Sequence, residues 1–319
     1  MSLSMKQKKY WKKLGRVFNP TVLEPFGLSA ALMPMVKILD EEEGLIRVYY
    51  APRDVNNRSE IHYFEFKLSD PFIILKRSEK HVFKHGKLGA FDDSGITPGN
   101  ILKVKDKTLL YYTGWNLTVT VPMNNSIGVA EMDAEGNFFR YGDGPVLTRA
   151  LNEPYSCASP FVMYEEGKYR MWYASMDKWE LEGDMPKHFY NIKYAESRDG
   201  INWIRKGQVA INYENSNEYA FGRPFVMKED NKYKMWYAFR GDHYVIGYAE
   251  SQDGISWLRK DDEAAIDVSP DGWDSEMIEY PCIFDCKGKR YMLYNGNGYG
   301  KTGIGIAELI LSKSNNTSR

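Results

Sequence analysis

The chain has 319 residues, 43% of them apolar and 27% charged, with a formal net charge of −1. That mixture belongs to a water-soluble globular protein: no run approaches the ~18 apolar residues that cross a bilayer, and acids and bases are too evenly interspersed to form the basic stripe that nucleic-acid binding needs. Three cysteines, Cys157, Cys282 and Cys286, are too few for a disulfide framework, so reduced thiols, no metal, no cofactor and a cytoplasmic location are expected.

In chain order, residues 1–10 read as a basic tail. Trp11 to Val17 then sets Trp, Gly and Val as Trp203 to Val209 does later, which predicts a strand. Five segments follow, spaced by roughly 60 residues, and each begins at a proline. Pro34 leads into Met35 to Tyr50, and Pro98 leads to Leu109 to Tyr112. Pro160 to Ala174 returns almost unchanged as Pro224 to Ala238, and Pro281 leads to Tyr291 to Tyr294. An apolar run, a turn of Gly, Asp, Glu or Lys, and an alternating run ending in aromatics is the pattern of a β-hairpin.

A third strand comes after each hairpin: Ile61 to Phe64, Ile127 to Ala130, Ile192 to Ala195, Ile246 to Ala249 and Ile304 to Ala307. In the third and fourth copies an Asp-Gly turn, at Asp199 and Asp253, leads to a fourth strand. The fifth copy has no sequence left for one, and the segment from Trp11 is the natural substitute. The expected fold is therefore all-β: a five-bladed β-propeller with four antiparallel strands per blade, its inner strands starting near 34, 98, 160, 224 and 281. It forms one domain over residues 11–311, the ring is closed by the N-terminal strand on the last blade, and 312–319 is a second tail.

In a propeller the loops entering strand one open on the same face as those leaving strand two. The acids of the opposite face, Asp199 and Asp253 among them, are turn formers. The near face collects Asp92 and Asp93, Glu218 and Arg223, and Trp273, Glu276 and Glu279 at strand-one entrances. Leaving strand two are Arg53 and Asp54, Trp115 and Asn116, Trp179, and Arg240, Asp242 and His243. Carboxylates, guanidiniums and indoles converging on one depression suit a sugar, which needs charged hydrogen-bonding groups for its hydroxyls and rings for its C–H faces.

Glycosidic cleavage needs two carboxyl groups. Glu279, two residues before its proline, and Asp93 are the expected pair, with Asp92 and Glu218 as further catalytic candidates. Arg53, Asp54, Trp115, Asn116, Trp179, Arg223, Arg240, Asp242, His243, Trp273 and Glu276 are the expected substrate contacts. Were phosphate the acceptor, Arg53, Arg223, Arg240 and His243 would cradle it. A non-catalytic glycan-binding propeller keeps the aromatics and dispenses with the carboxyl pair; an interaction scaffold is the third class. Oligomeric state leaves no mark in the sequence.

With five proline-led segments, the Met-Trp-Tyr-Ala and Tyr-Ala-Glu-Ser motifs, Phe91 to Gly95 and Gly272 to Pro281, the chain resembles the superfamily of arabinanases, levansucrases, invertases and mannoside phosphorylases, in its glycosidase-like branch. The resemblance implies the five-bladed fold and action on carbohydrate. The invertase-like and arabinanase-like members place acids just before the inner prolines of the first blades, whereas this sequence has Met33, Thr97, and Ala158 with Ser159 there. Only Glu279 keeps the expected register.

Overall fold

The computed structural model describes residues 9–311; the expected tails beyond them, 1–8 and 312–319, lie outside the described residues. The N-terminal strand begins two residues earlier than the sequence predicts. It is β1 (Lys9–Phe18). A first group follows: β2 (Ser29–Asp40), β3 (Leu45–Arg53), β4 (His62–Lys67) and β5 (Lys76–Arg77). The second comprises β6 (Gly95–Val104), β7 (Lys107–Leu117), β8 (Met123–Met132) and β9 (Phe138–Arg140). The third is β10 (Cys157–Glu165), β11 (Lys168–Glu182), β12 (Met185–Ser197) and β13 (Trp203–Ile211). A fourth contains β14 (Ala220–Glu229), β15 (Lys232–Arg240), β16 (Tyr244–Ser251) and β17 (Leu258–Arg259). The last three strands are β18 (Glu279–Cys286), β19 (Lys289–Asn295) and β20 (Ile304–Leu311).

Each group is an antiparallel meander, consistent with a propeller fold. The third and fourth are joined into one sheet by a single parallel bridge, Tyr190 to Ala220. The last three strands take β1 as their fourth: it pairs antiparallel with β20, Lys9 opposite Leu311 and Phe18 opposite Ile304. Helix is confined, among the described residues, to two 3₁₀ turns and the segment Asn297–Gly300, so no helix is long enough to cross a membrane.

Alternation explains the strands. In β3, Ile46, Val48 and Tyr50 face one core cluster with Phe18, Phe64 and Phe66, while Tyr49 faces another with Ile96, Tyr112 and Phe138. Successive side chains of a strand point to opposite faces, so a strand buried on both sides feeds two clusters. The Asp-Gly turns work as the sequence suggests. Asp199 Oδ1 accepts from the amides of Ile201 and Asn202 at 2.9 and 2.8 Å, and Asp253 Oδ1 does the same for Ile255 and Ser256 at 2.7 and 2.8 Å. Gly200 and Gly254 take the positive φ those turns require, and their carbonyls accept from Tyr111 and Trp172 of the preceding group.

The first strands lie against one another in the order β2, β6, β10, β14, β18, and β18 lies against β2. Each carries a register break at its proline. In four of them the residue before the proline adopts a left-handed φ: Met33 (55°), Ser159 (50°), Arg223 (51°) and Tyr280 (56°). This is a costly conformation for residues with a Cβ. The bulge swings these side chains out of the strand alternation. In β6 the irregularity falls at Gly99, where a Cβ would sit 2.4 Å from the Tyr111 carbonyl oxygen and 2.6 Å from that of Pro160.

Candidate active site

The bulged positions surround a cavity of about 640 Å³ that every group helps to line, within the size range of ordinary ligand pockets. Met33 and Arg53 come from the first group, Thr97, Thr113, Trp115, Met123 and Asn125 from the second, and Ser159, His188 and Tyr190 from the third. Gly222 and Tyr244 come from the fourth, with Tyr280, Tyr299 and Lys301 beyond them. Other clefts of similar volume lie at the periphery, such as the one between Val129, Tyr141, Asp199 and Trp203. The central one combines aromatic walls with contributions from all groups.

Its charged lining residues are Arg53 and Lys301. The Arg53 guanidinium lies 5.0 Å over the Trp115 ring and donates through Nη1 to the Asn57 carbonyl at 3.2 Å. Burial holds its pKa below the usual arginine value. Trp115 in turn donates Nε1–H to Ser59 Oγ at 3.2 Å. Arg240 stands behind the lining and donates to the Tyr299 hydroxyl at 2.8 Å. His188, opposite Trp179 in the β11–β12 hairpin, packs 4.8 Å from Tyr190. Burial, then the charges of Arg240 and Lys187, pushes it down to about 4, so it is neutral at pH 7.

Glu279 is fully buried at the start of β18, and neither carboxyl oxygen has a hydrogen-bond partner among the described residues. Burial drives its pKa far up, against the opposing pulls of the neighbouring Tyr280 and then of Arg240, which favours the protonated carboxyl over the carboxylate. Its neighbours Tyr280 and Tyr244 line the cavity. Burial first, and then the charge Glu279 would carry, raises the pKa of both phenols. A buried carboxyl whose protonated form is favoured therefore sits directly behind a wall of tyrosine.

The other expected acids are engaged elsewhere, and none lines the cavity. Asp93 closes a local turn, accepting from the Gly89 amide and the Ser94 hydroxyl at 2.9 Å each. Asp92 is fully buried in an ion pair with Arg140 at 2.5 Å and accepts from the Tyr112 hydroxyl. Glu218 takes both Nη atoms of Arg259 at 2.8 Å, and that hydrogen-bonded pairing overcomes burial to hold its pKa down. Asp54 holds its own turn through the amides of Asn56 and Arg58 and an ion pair with Arg58. The Asp93–Glu279 pair expected from the sequence is thus not brought together.

Several expected contacts lie outside the cavity lining. Arg223 is buried and donates to the carbonyls of Pro98, Gly99 and Pro34, with its pKa pushed down to about 10 by burial. It cross-links first strands and cannot cradle a phosphate without leaving them. Trp273 stacks on Tyr294 at 5.6 Å in the core of the last group, and not in the pocket. Trp179 meets His188 edge-on at 5.8 Å, one layer behind the lining. Asn116 follows Trp115 without lining the cavity, while Asp242, His243 and Glu276 are exposed outside it. Among the lining residues that sequence reasoning missed are His188, Tyr190, Tyr244, Tyr299 and Lys301.

No family model matches the sequence. Structural neighbours include glycoside hydrolases and mannoside phosphorylase-like propeller proteins. One neighbour, a glycoside hydrolase, superposes with a TM-score of 0.72 at 17% identity over 98% of this chain and 95% of that one. Another, from the GH130 family of mannoside phosphorylases, which contains glycoside hydrolases that target β-1,2 mannosidic linkages in Candida mannan, gives 0.67 at 16% identity over 96% and 95%. In sequence, the chain is 42% identical to Uncharacterized protein Rv1502 of Mycobacterium tuberculosis over 299 residues, 94% of this chain and 99% of that protein, and it belongs to that family. A shorter match, 29% identical over 129 residues, is to a 1,2-beta-oligomannan phosphorylase of Thermoanaerobacter sp.; it spans 38% of this chain and 43% of the phosphorylase.

Proposed function

We propose that the protein is a carbohydrate-active enzyme that binds a glycoside in the central cavity and cleaves it with Glu279 as the proton source. The five four-strand groups are read as the five blades of one unit over residues 11–311, and the β1–β20 pairing as its ring closure. The neighbours named above support the substrate class, as do the rings of Trp115, Tyr190, Tyr244 and Tyr280 beside polar Thr97, Asn125 and Ser159. Glu279 carries the proposal: a buried carboxyl whose pKa burial raises is suited to protonating a leaving-group oxygen. Because Glu279 is shut off by the tyrosine wall, its proton reaches the cavity through a phenol hydroxyl or on a small movement of Tyr280.

With Asp93, Asp92 and Glu218 engaged elsewhere, the attacking group comes from solution, as water or phosphate. The test is a panel of β- and α-glycosides assayed with and without phosphate, using wild type and Glu279→Gln. A drop of ~10²-fold or more with an intact fold is expected, and full turnover by Glu279→Gln would reject the assignment.

A further inference from the structure

The cavity places its two lining cations beside phenols and indole without any anion to match them. Among the described residues neither Arg53 nor Lys301 forms an ion pair, and Arg240, one layer back, forms none either. Elsewhere arginines 47, 140, 170, 205, 259 and 290 hold carboxylates, and buried Arg223 donates its guanidinium to three backbone carbonyls instead. Of the acids nearby, Asp54, whose charge reaches Arg53, is already ion-paired with Arg58, and Glu279 is buried behind the lining with neither oxygen hydrogen-bonded. A concave site with uncompensated positive charge and low-dielectric walls concentrates anions.

Arg53 also limits what the anion is attached to. Its guanidinium lies over Trp115, and Met123 and Leu117 continue the apolar wall beyond it. A free anion would use the guanidinium alone and leave that wall wet. A sugar carrying its own anionic group would engage both at once, its charge on the guanidinium fork and its ring or glycosidic neighbour on the wall.

We propose that the cavity selects a glycan whose bound residue is itself anionic, a uronate carboxylate or a sugar phosphate ester, with Arg53 and Lys301 reading the charge. This rests on the carbohydrate reading of the cavity above and adds the substrate class. The experiment is direct binding to the full-length protein, without turnover, by calorimetry and tryptophan fluorescence. The probes are matched pairs: methyl glucuronide against methyl glucoside, galacturonate against galactose, mannose 6-phosphate against mannose, and inorganic phosphate alone.

At least one acidic member should bind about tenfold or more tighter than its neutral partner, with the gap closing as salt is raised; the carboxylate and phosphate pairs tell which anion is read. Arg53→Met and Lys301→Met should each bring the acidic member toward the neutral one, and if Arg53→Met does not fold, Lys301→Met and the wild-type salt series decide. Equal or tighter binding of every neutral partner, no binding of any acidic sugar at millimolar concentration, or tight binding of inorganic phosphate alone would overturn the proposal. Acidic sugars bound but never cleaved would sink the catalytic reading and leave this one standing. Neutral glycosides cleaved through Glu279, with acidic sugars bound no better, would do the reverse.

Discussion

Arg223 and Pro98 stand 125 residues apart in the chain, yet the Arg223 guanidinium donates to the Pro98 carbonyl at 2.6 Å. It also donates to Gly99 and to Pro34, so one side chain of the fourth group ties down the first strands of the first and second. Arg223→Met should leave three buried carbonyls without a charged donor, at ~1–3 kcal/mol each before relaxation. We expect a loss of about 3 kcal/mol or more in denaturant unfolding. Lysine should recover only part of it, lacking the planar fork that reaches several carbonyls. A change below about 1 kcal/mol for Arg223→Met would show that the strands hold together without it.

The N-terminal strand β1 makes a second stability prediction. Phe18 is 1% exposed and stacks on Phe64 at 4.5 Å, while Lys13 pairs with the buried Asp274 at 2.7 Å. Phe18→Ala should cost about 3–5 kcal/mol as a buried aromatic truncation. Removing residues 1–18 should do more, since it also bares the β20 edge and strands Asp274. Thermal melts check both, and an unchanged midpoint for the truncation would mean that β1 contributes nothing to the last sheet.

Glu279 gives stability a pH dependence of defined sign. Its folded pKa is raised above its unfolded one, so its contribution is fully present below the unfolded pKa near 4.3 and is lost as pH rises toward the folded value. Glu279→Gln, uncharged at every pH, should melt relatively higher than wild type at pH 8 than at pH 4. The same variant should lose activity, and a substitution that stabilises at high pH while abolishing turnover separates chemistry from packing.

The histidines act in the opposite direction. Burial pushes His62 and His188 both down to about 4, so the unfolded chain binds protons that the folded one refuses between about pH 6.5 and 4. Stability should fall with acid through that window, at most about 1.4 kcal/mol per pH unit for each. Replacing both by Gln should flatten that part of the melting profile; an unaltered profile would mean that the rings titrate normally.

What the sequence made legible follows from how the information is stored. The near-identity of Pro160–Ala174 and Pro224–Ala238 lies in strand alternation, and the match of Trp11 to Trp203 found β1, because backbone pairing and burial are periodic. Met33, Thr97 and Ser159, singled out as lacking acids, do surround the cavity, since the proline marks the bulge. Which acids face inward was not legible. Asp92 turns to Arg140, 48 residues on in β9, and Glu218 turns to Arg259, 41 residues on; nothing periodic announces such pairings. His188 had a readable trace, the Gly183-Asp184 turn that places it opposite Trp179, but only by extending the hairpin past Ala174.

Tryptophan fluorescence can locate the ligand, because two of the three indoles that the sequence grouped together are parted by the structure. Trp115 lines the cavity under Arg53, whereas Trp273 is sandwiched among Tyr294, Gly296 and Gly305, where any added Cβ at either glycine would strike its ring at 2.5 or 2.4 Å. A sugar stacking in the cavity should therefore quench Trp115 and leave Trp273 silent. Trp115→Phe should remove most of the ligand-induced change while keeping a smaller ring for the sugar to stack on. Trp273→Phe should keep the signal while lowering the melting temperature, because its cost is a cavity in the last group's core. If quenching survives in Trp115→Phe and vanishes in Trp273→Phe, the sugar lies outside the central cavity, and the reading of Glu279 as its proton donor falls with it.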